Sequence, residues 1–357
     1  WADQQKMLVD NNSKIQSVSK SENGGKATRS YIKSDSSDLD YGKGLLTFSG
    51  AVEVRDEKLN LDCGKMIVYL VEGPKNKATS ASGKKANLLA GDNTLNALGA
   101  EGGKELEKIY CEKDVHVDDP KGYLDCDYLT VYFELVEAGK TEATAEGGDN
   151  IQVGNREIAR LVSVGNVHFR GKDAPKNGSA AKGEGLAAKG SFNSHSQVKA
   201  DRGEIDLRKN FGFFDGSVKM FDTGSGLTCS RMDFYLKNFK ELPPPKSTRR
   251  LRGADQTTMP EQVGLGFGKE LEKIICRRNV GLVRVEGPKR TTASGDYGEY
   301  VVANKRFDLL ADPGKKVKLR NGPQETQHDF VQYWPESGMM SGRQGKVTEG
   351  KIPPGTF

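Results

Sequence analysis

The stretch LDCGKMIVYL at Leu61–Leu70 returns in its apolar positions at Leu124–Phe133, LDCDYLTVYF, and again at Leu227–Leu236, LTCSRMDFYL. The match extends beyond these decapeptides. Adding 63 to Phe48, Val52, Val54, Leu61, Cys63, Met66, Val68, Tyr69 and Leu70 gives Cys111, Val115, Val117, Leu124, Cys126, Leu129, Val131, Tyr132 and Phe133. A further 103 gives Phe214, Val218, Met220, Leu227, Cys229, Met232, Phe234, Tyr235 and Leu236, with no insertion inside the unit. A fourth copy, KELEKIICRRNV from Lys269, matches KELEKIYCEKDV from Lys104 at eight of twelve places. In a fifth, LVSVGNVHF from Leu161, Val167 and Phe169 align with Val115 and Val117. A chain that repeats one small unit must stack the copies, because no copy buries its apolar face alone.

Within each copy apolar and polar residues alternate, as in Val115, His116, Val117 or Leu129, Thr130, Val131. Period 2 puts the apolar set on one face of a strand. Turn-forming stretches such as DDPKGY and DTGSG separate the strands. The reading is therefore all-β: repeated antiparallel strands, about a dozen or more, with nothing that reads as a long helix. The 43 glycines and the 8% aromatic content suit short strands and many turns better than a helical core.

The repeats fall near 46–70, 109–133, 161–207, 212–236 and 270–310, within a unit spanning 30–311. An N-terminal extension, 1–29, and a C-terminal tail, 312–357, flank it. The segments 76–104, 138–157, 172–197 and 243–262 read as long loops, KANLLAGDNTL has room for a helical turn, and the last ten or so residues are expected to be loose.

The inward set is read from the copies: Phe48, Val52, Val54, Leu61, Met66 and Val68; Ile109, Val115, Val117, Leu124, Leu129, Val131 and Phe133; Val167, Phe169, Ile205 and Leu207; Phe214, Val218, Met220, Met232 and Phe234. Two readings fit such a stripe. It is the closed core of a β-solenoid or sandwich, or it lines a trough for an elongated apolar ligand, to which Met and Phe adapt well. These residue types serve both, so the stripe does not separate the readings.

Catalytic constellations do not emerge. His116 and His168 occupy outward slots where aligned copies carry Glu53 and Lys219, and His195 and His328 stand apart. Asp62, Asp125 and Asp127 fall on the polar face. GLGFGKE at 264–270 lacks the Gly-Lys-Ser/Thr ending of a phosphate loop. STRRLR at 247–252 offers guanidinium groups to anionic headgroups, although it reads first as a solvated loop. Basic and acidic residues nearly balance, 54 against 49, without a basic stripe, which argues against nucleic acid. No C-x-x-C pair suggests zinc, and neither cofactor nor metal is expected. Among the five cysteines, Cys63, Cys126 and Cys229 are repeat-equivalent, as are Cys111 and Cys276; the odd total leaves at least one unpaired within the chain. No stretch approaches the roughly 18 consecutive apolar residues of a membrane helix. The first residue is Trp1 rather than Met, which suggests an upstream segment, a signal peptide or an anchor.

SVGNVHFRG followed by SQVKADRGEIDLRKNFGFFDGSVKMFD resembles the OstA family, the domain shared by LptA, LptC and the periplasmic part of LptD. Members repeat G-N-V-x-(V/F), a turn, then (L/V)-x-A-D-x-x-x-(V/I)-x-(Y/L). Gly165, Asn166, Val167 and Phe169 match the first half, and Val198, Ala200, Asp201, Ile205 and Leu207 the second. Gly50 with Val52, Gly216 with Val218, and Asn279 with Val280 are looser copies. Cys63, Cys126 and Cys229 stand where the family usually has Ala. The resemblance covers roughly residues 30 to 310. It implies an open, V-shaped antiparallel β-jellyroll that holds the acyl chains of lipopolysaccharide or a related lipid against its apolar interior. It also implies end-to-end strand pairing with LptC-like and LptD-like domains, a periplasmic location with membrane contact through partners or an upstream inner-membrane anchor, and no chemical step. A structural or adhesive solenoid that binds protein partners is the alternative, and a polysaccharide-acting enzyme on a β-helix stands third.

Overall fold

The computed structural model describes residues 6–19, 28–55, 60–73, 104–119, 122–135, 152–153, 156–172, 196–222, 224–237, 271–335 and 337–344. Eighteen strands lie in this set: Lys6–Ser19 (β1), Thr28–Asp40 (β2), Leu45–Arg55 (β3), Asn60–Glu72 (β4), Lys104–Asp119 (β5), Gly122–Leu135 (β6), Gln152–Val153 (β7), Arg156–Gly171 (β8), Gln197–Asp206 (β9), Phe211–Asp222 (β10), Ser225–Leu236 (β11), Leu271–Glu286 (β12), Lys289–Val301 (β13), Arg306–Leu310 (β14), Val317–Asn321 (β15), Gln324–His328 (β16), Phe330–Trp334 (β17) and Met339–Arg343 (β18). All belong to one sheet. From β1 to β13 the chain runs as an antiparallel meander, with the two-residue β7 as a side pairing on β8. Among the described residues β1 pairs only with β2, so the sheet stays open rather than closing into a barrel. At its other end β13 divides: Tyr297–Val301 pair with β14 and Thr291–Ser294 with β15.

Every second long strand carries the same irregularity. In β3, β5, β8, β10 and β12 two consecutive residues take positive φ: Gly50 and Ala51, Lys113 and Asp114, Gly165 and Asn166, Gly216 and Ser217, Arg278 and Asn279. In the strand that follows, one residue stands opposite each pair, so each is a β-bulge with one residue in excess, and a bulged strand bends. On the strand that precedes each bulged one, the facing residues are Asp35, Gly64, Asp127, Asp201 and Ser230. A Cβ added at Gly50, Gly165 or Gly216 would collide with the carboxylate of Asp35, Asp127 or Asp201 respectively. The Asn166 side-chain amide donates to the Asp127 carboxylate at 3.0 Å. The G-N and A-D elements of the repeat are thus two halves of one corner: a left-handed pair and the acid that lies over it.

Because the corners align from strand to strand, one bend runs along the sheet from β3 to β12. A single layer of strands buries one face only by curving over it. The inward side chains on both arms of the bend form one continuous apolar cluster, from Ile32 on β2 to Tyr333 on β17. The outward face is held by cross-strand pairs of another kind. Lys108 lies 4.0 Å from the Tyr69 ring centroid, Arg160 4.5 Å from Tyr132 and Lys273 4.9 Å from Tyr235, and exposed cation–π pairs contribute roughly 0.5–1 kcal/mol each.

The sheet runs past both ends of the 30–311 unit read from the sequence, which corrects two expectations. The extension 1–29 contributes β1, whose pairing with β2 makes a hairpin ahead of the first recognised copy. The period of the β1–β2 hairpin was hidden because serines occupy inward slots: Ser13, Ser34 and Ser37 are buried, and Ser13 Oγ lies 2.7 Å from Ser34 Oγ. The tail 312–357 contributes β15–β18, strands of five residues each, too short to show a sustained alternation. Most of the four long loop segments, the KANLLAGDNTL stretch and the final residues lie outside the described set, as do GLGFGKE, STRRLR and His195.

Gly165→Ala is expected to destabilise the fold by about 1–3 kcal/mol, since it adds both αL strain and a collision with Asp127. Urea denaturation followed by circular dichroism reads this out. Gly287→Ala, where φ is +56° but an added Cβ meets nothing within 4 Å, should cost less.

Candidate functional site

The candidate site is the inward apolar face. Register converts its residues into rows that cross the strands. One row, on the arm beyond the corner, passes from Ile32 through Val54, Leu61, Val117, Leu124 and Phe169. It continues through Val198, Met220, Leu227 and Leu282 to Ala293 and Leu319. On the other arm a second row begins at Leu39, Leu46, Val68, Ile109, Val131, Leu161 and Ile205. It passes Gly212 and ends through Phe234, Ile274, Tyr300 and Phe307 at Tyr333. At the usual spacing of about 4.8 Å between strands, the first row is on the order of 50 Å long.

All the residues assigned inward from the sequence join this cluster. Phe48, Val52, Val54, Leu61, Met66, Val68, Ile109, Val115, Leu129, Val131, Phe133, Val167, Phe169, Leu207, Phe214, Val218, Met232 and Phe234 are buried. Val117, Leu124, Ile205 and Met220 are half-buried and pack against the cluster. The face is therefore tightly self-packed in this structure, with Phe48 and Phe234 among its largest fully buried side chains. Sequence reasoning left out Ile32, Leu39 and Leu46 on β2 and β3, and Ile274, Val280 and Leu282 on β12. A signal for the last three was present, since they lie 165 residues after Ile109, Val115 and Val117.

His116, His168, Asp62, Asp125 and Asp127 lie on the outward face, whereas His328 stands opposite the buried Val317. His116 Nδ1 is 2.6 Å from Asp125 Oδ1, while Arg170 donates to Asp125 Oδ2 at 2.9 Å. His168 bonds Gln197 at 3.0 Å, and His328 bonds Thr326 at 2.8 Å. Asp62 pairs with Arg55 at 2.6 Å. Such partly exposed ion pairs contribute about 0–1 kcal/mol each and need no catalytic role to explain them. Asp233 is the exception in burial. Its carboxylate is nearly covered and accepts from Arg231 Nε at 2.7 Å and Arg277 Nε at 3.0 Å. Among the described residues no group of three His, Cys, Asp or Glu side chains is placed to hold a metal ion, and no helix is long and apolar enough to cross a membrane.

The five cysteines are buried on the inward face as free thiols. Burial, then the carboxylates of Asp127 and Asp125, push the Cys126 thiol up to about 12 against a small opposing hydrogen bond from Tyr128. The hydrogen bond between Cys111 and Cys63, then burial, raise Cys111 well above the usual thiol range. Burial, then a hydrogen bond to Cys229, do the same for Cys276.

The self-packed face makes two measurable demands. Met66→Ala should destabilise by about 2–5 kcal/mol, as large-to-small changes in packed cores do. Cys126 of the folded, reduced protein should react with a thiolate-requiring alkylating agent near pH 8 about a thousand-fold more slowly than in the unfolded chain, since three pH units separate the thiolate fractions.

Residues 31–187 match the family model described as LptA/(LptD N-terminal domain) LPS transport protein. Among solved structures, the chain is similar to that described as LptH, the LptA-homologous periplasmic component of the lipopolysaccharide transport device of Pseudomonas aeruginosa. That match has 13% identity and a TM-score of 0.29, covering 44% of this chain and 87% of that one. No curated protein matches. The matched segment runs from β2 through β8 and holds the corners at Gly50, Lys113 and Gly165, and over these residues the chain is similar to the LptA and LptD N-terminal domains that the model describes.

Proposed function

We propose that this protein is a non-catalytic, periplasmic component of lipopolysaccharide transport that shelters acyl chains along its inward apolar face and passes the lipid toward the outer membrane. The observation that carries the reading is the family match over β2–β8 on a sheet whose first apolar row continues beyond it through Val198, Met220 and Leu227. Each buried methylene is worth about 0.8 kcal/mol, so a roughly 12-carbon chain left in water costs on the order of 9 kcal/mol. A lipid with several such chains crosses an aqueous space only with continuous apolar cover, and a row that crosses many strands supplies it. Entry requires the arms to part. The half-buried side chains Val117, Leu124 and Met220 lie at the end of the arm beyond the corner and are the natural first contacts. LptC-like and LptD-like domains are the proposed partners, joined by antiparallel strand addition at an unpaired sheet edge.

The near-complete burial of the inward face favours a second reading, a structural or adhesive β-solenoid with a closed core and protein partners. The two differ in one experiment. Native mass spectrometry of the purified protein with added lipopolysaccharide should show an increment of one intact lipid. Val117→Asp should lose that increment while circular dichroism stays unchanged, because this side chain is only half-buried, whereas Val115→Asp, at a fully buried slot, should unfold the protein. No increment from the well-folded wild type at micromolar lipid would favour the closed solenoid.

A further inference from the structure

The bend places a fixed pair of inward side chains on the inside of every corner. One comes immediately before the facing residue on the earlier strand, and the other lies two positions before the left-handed pair on the later strand. Along the sheet these are Ser34 with Phe48, Cys63 with Cys111, Cys126 with Ser163, Ala200 with Phe214, and Cys229 with Cys276. Register supports the equivalence. Cys111 lies opposite Met66, Ser163 opposite Leu129 and Cys276 opposite Met232, each partner three residues after Cys63, Cys126 or Cys229. At the two corners where both positions are cysteine the thiols are in hydrogen-bonding contact. At the third, Ser163 replaces the second cysteine and its hydroxyl donates to the Gly203 carbonyl at 3.3 Å instead.

We propose that Cys63 with Cys111, and Cys229 with Cys276, are disulfide-forming pairs that staple the inside of two corners, leaving Cys126 as a free thiol. The same pairing arises twice, on strands more than a hundred residues apart, and the odd cysteine is the one whose corner partner is serine. The oxidant is a thiol–disulfide reagent of the glutathione disulfide class. One cysteine thiolate attacks the oxidant's disulfide, giving a mixed disulfide and releasing one oxidant thiol. The second cysteine attacks the protein sulfur of that mixed disulfide and expels the other oxidant sulfur. Two protein thiols lose two protons and two electrons, and the oxidant gains both as two thiols. Since all four sulfurs are buried in the folded chain, the exchange belongs to the folding chain or to an opened corner rather than to the closed fold.

The test is independent of lipid binding, so its failure and that of the transport reading are distinguishable. The reduced, unfolded protein is refolded in glutathione disulfide with reduced glutathione, then denatured in excess alkylating agent, digested without reductant and mapped by mass spectrometry. The expected result is loss of four of the five thiols, with Cys126 alkylated and two linked peptide pairs, 63 with 111 and 229 with 276. Ser163→Cys should lose the Cys126 thiol as well, in a third link to position 163. Cys63→Ala should free Cys111 for alkylation without recruiting Cys126. Five alkylated cysteines in the refolded wild type would overturn the proposal, as would a link between Cys111 and Cys126. A Ser163→Cys protein that folds yet keeps Cys126 free would overturn the corner rule on which the proposal stands.

Discussion

The corner is the constraint from which the rest of the structure follows. A flat antiparallel sheet with one apolar face has nowhere to hide it, and a meander this long would expose a broad apolar surface. Two consecutive left-handed residues in every second strand bend the sheet at one line. The carboxylates of Asp35, Asp127 and Asp201 fill the space that a side chain on the facing glycine would need. Left-handed backbone costs an L-residue roughly 1–2 kcal/mol, and the fold accepts it at Ala51, Lys113, Asp114 and Arg278 as well as at the more tolerant Asn166 and Asn279. That cost is tolerable because each bend lets inward side chains on both arms reach one cluster.

The same line of bends organises both faces. Inside, it sets the rows of apolar residues that cross the strands and brings Cys63 to Cys111, and Cys229 to Cys276, on adjacent strands. Outside, it leaves the polar slots of the period-2 pattern to cross-strand pairs of Lys and Arg with Tyr and of Arg with Asp. The buried Asp233, held by Arg231 and Arg277, sits on this outer face beside the last corner pair. Function and architecture are then linked through one quantity, the ease with which the two arms separate. A lipid carrier needs arms that part, and a thiol staple inside two corners would fix the hinge line without joining the outer ends of the arms.

Much of the fold was legible in the sequence because it rests on local rules repeated. Val115, Val117, Leu124 and Cys126 alternate with polar residues, and the same alternation recurs at 63 and 166 residues from Phe48, Val52 and Val54, so strand identity and facing followed from spacing. The strands that escaped notice did so for identifiable reasons. β2 places Ser34 and Ser37 inward, where a hydrogen-bonded serine replaces an apolar side chain. β13 fills inward slots with Ala293, Gly295 and Gly298, because the large rings and chains of Phe307 and Leu309 occupy that space.

The sequence by itself determined which residues share a face, since a side-chain period of two is a property of the strand alone. It determined the inward set from Phe48 to Phe234, and it displayed the glycine, asparagine and aspartate pattern of the corners without revealing what the pattern does. Only the tertiary structure decided that these residues meet across neighbouring strands as an acid over a left-handed pair. It alone decided that the inward face packs on itself, that Cys63 meets Cys111, and that Ser163 lies opposite Leu129, three residues after Cys126. The physical reason is that register between strands, unlike periodicity within one, depends on bulges and on chain segments far apart in sequence.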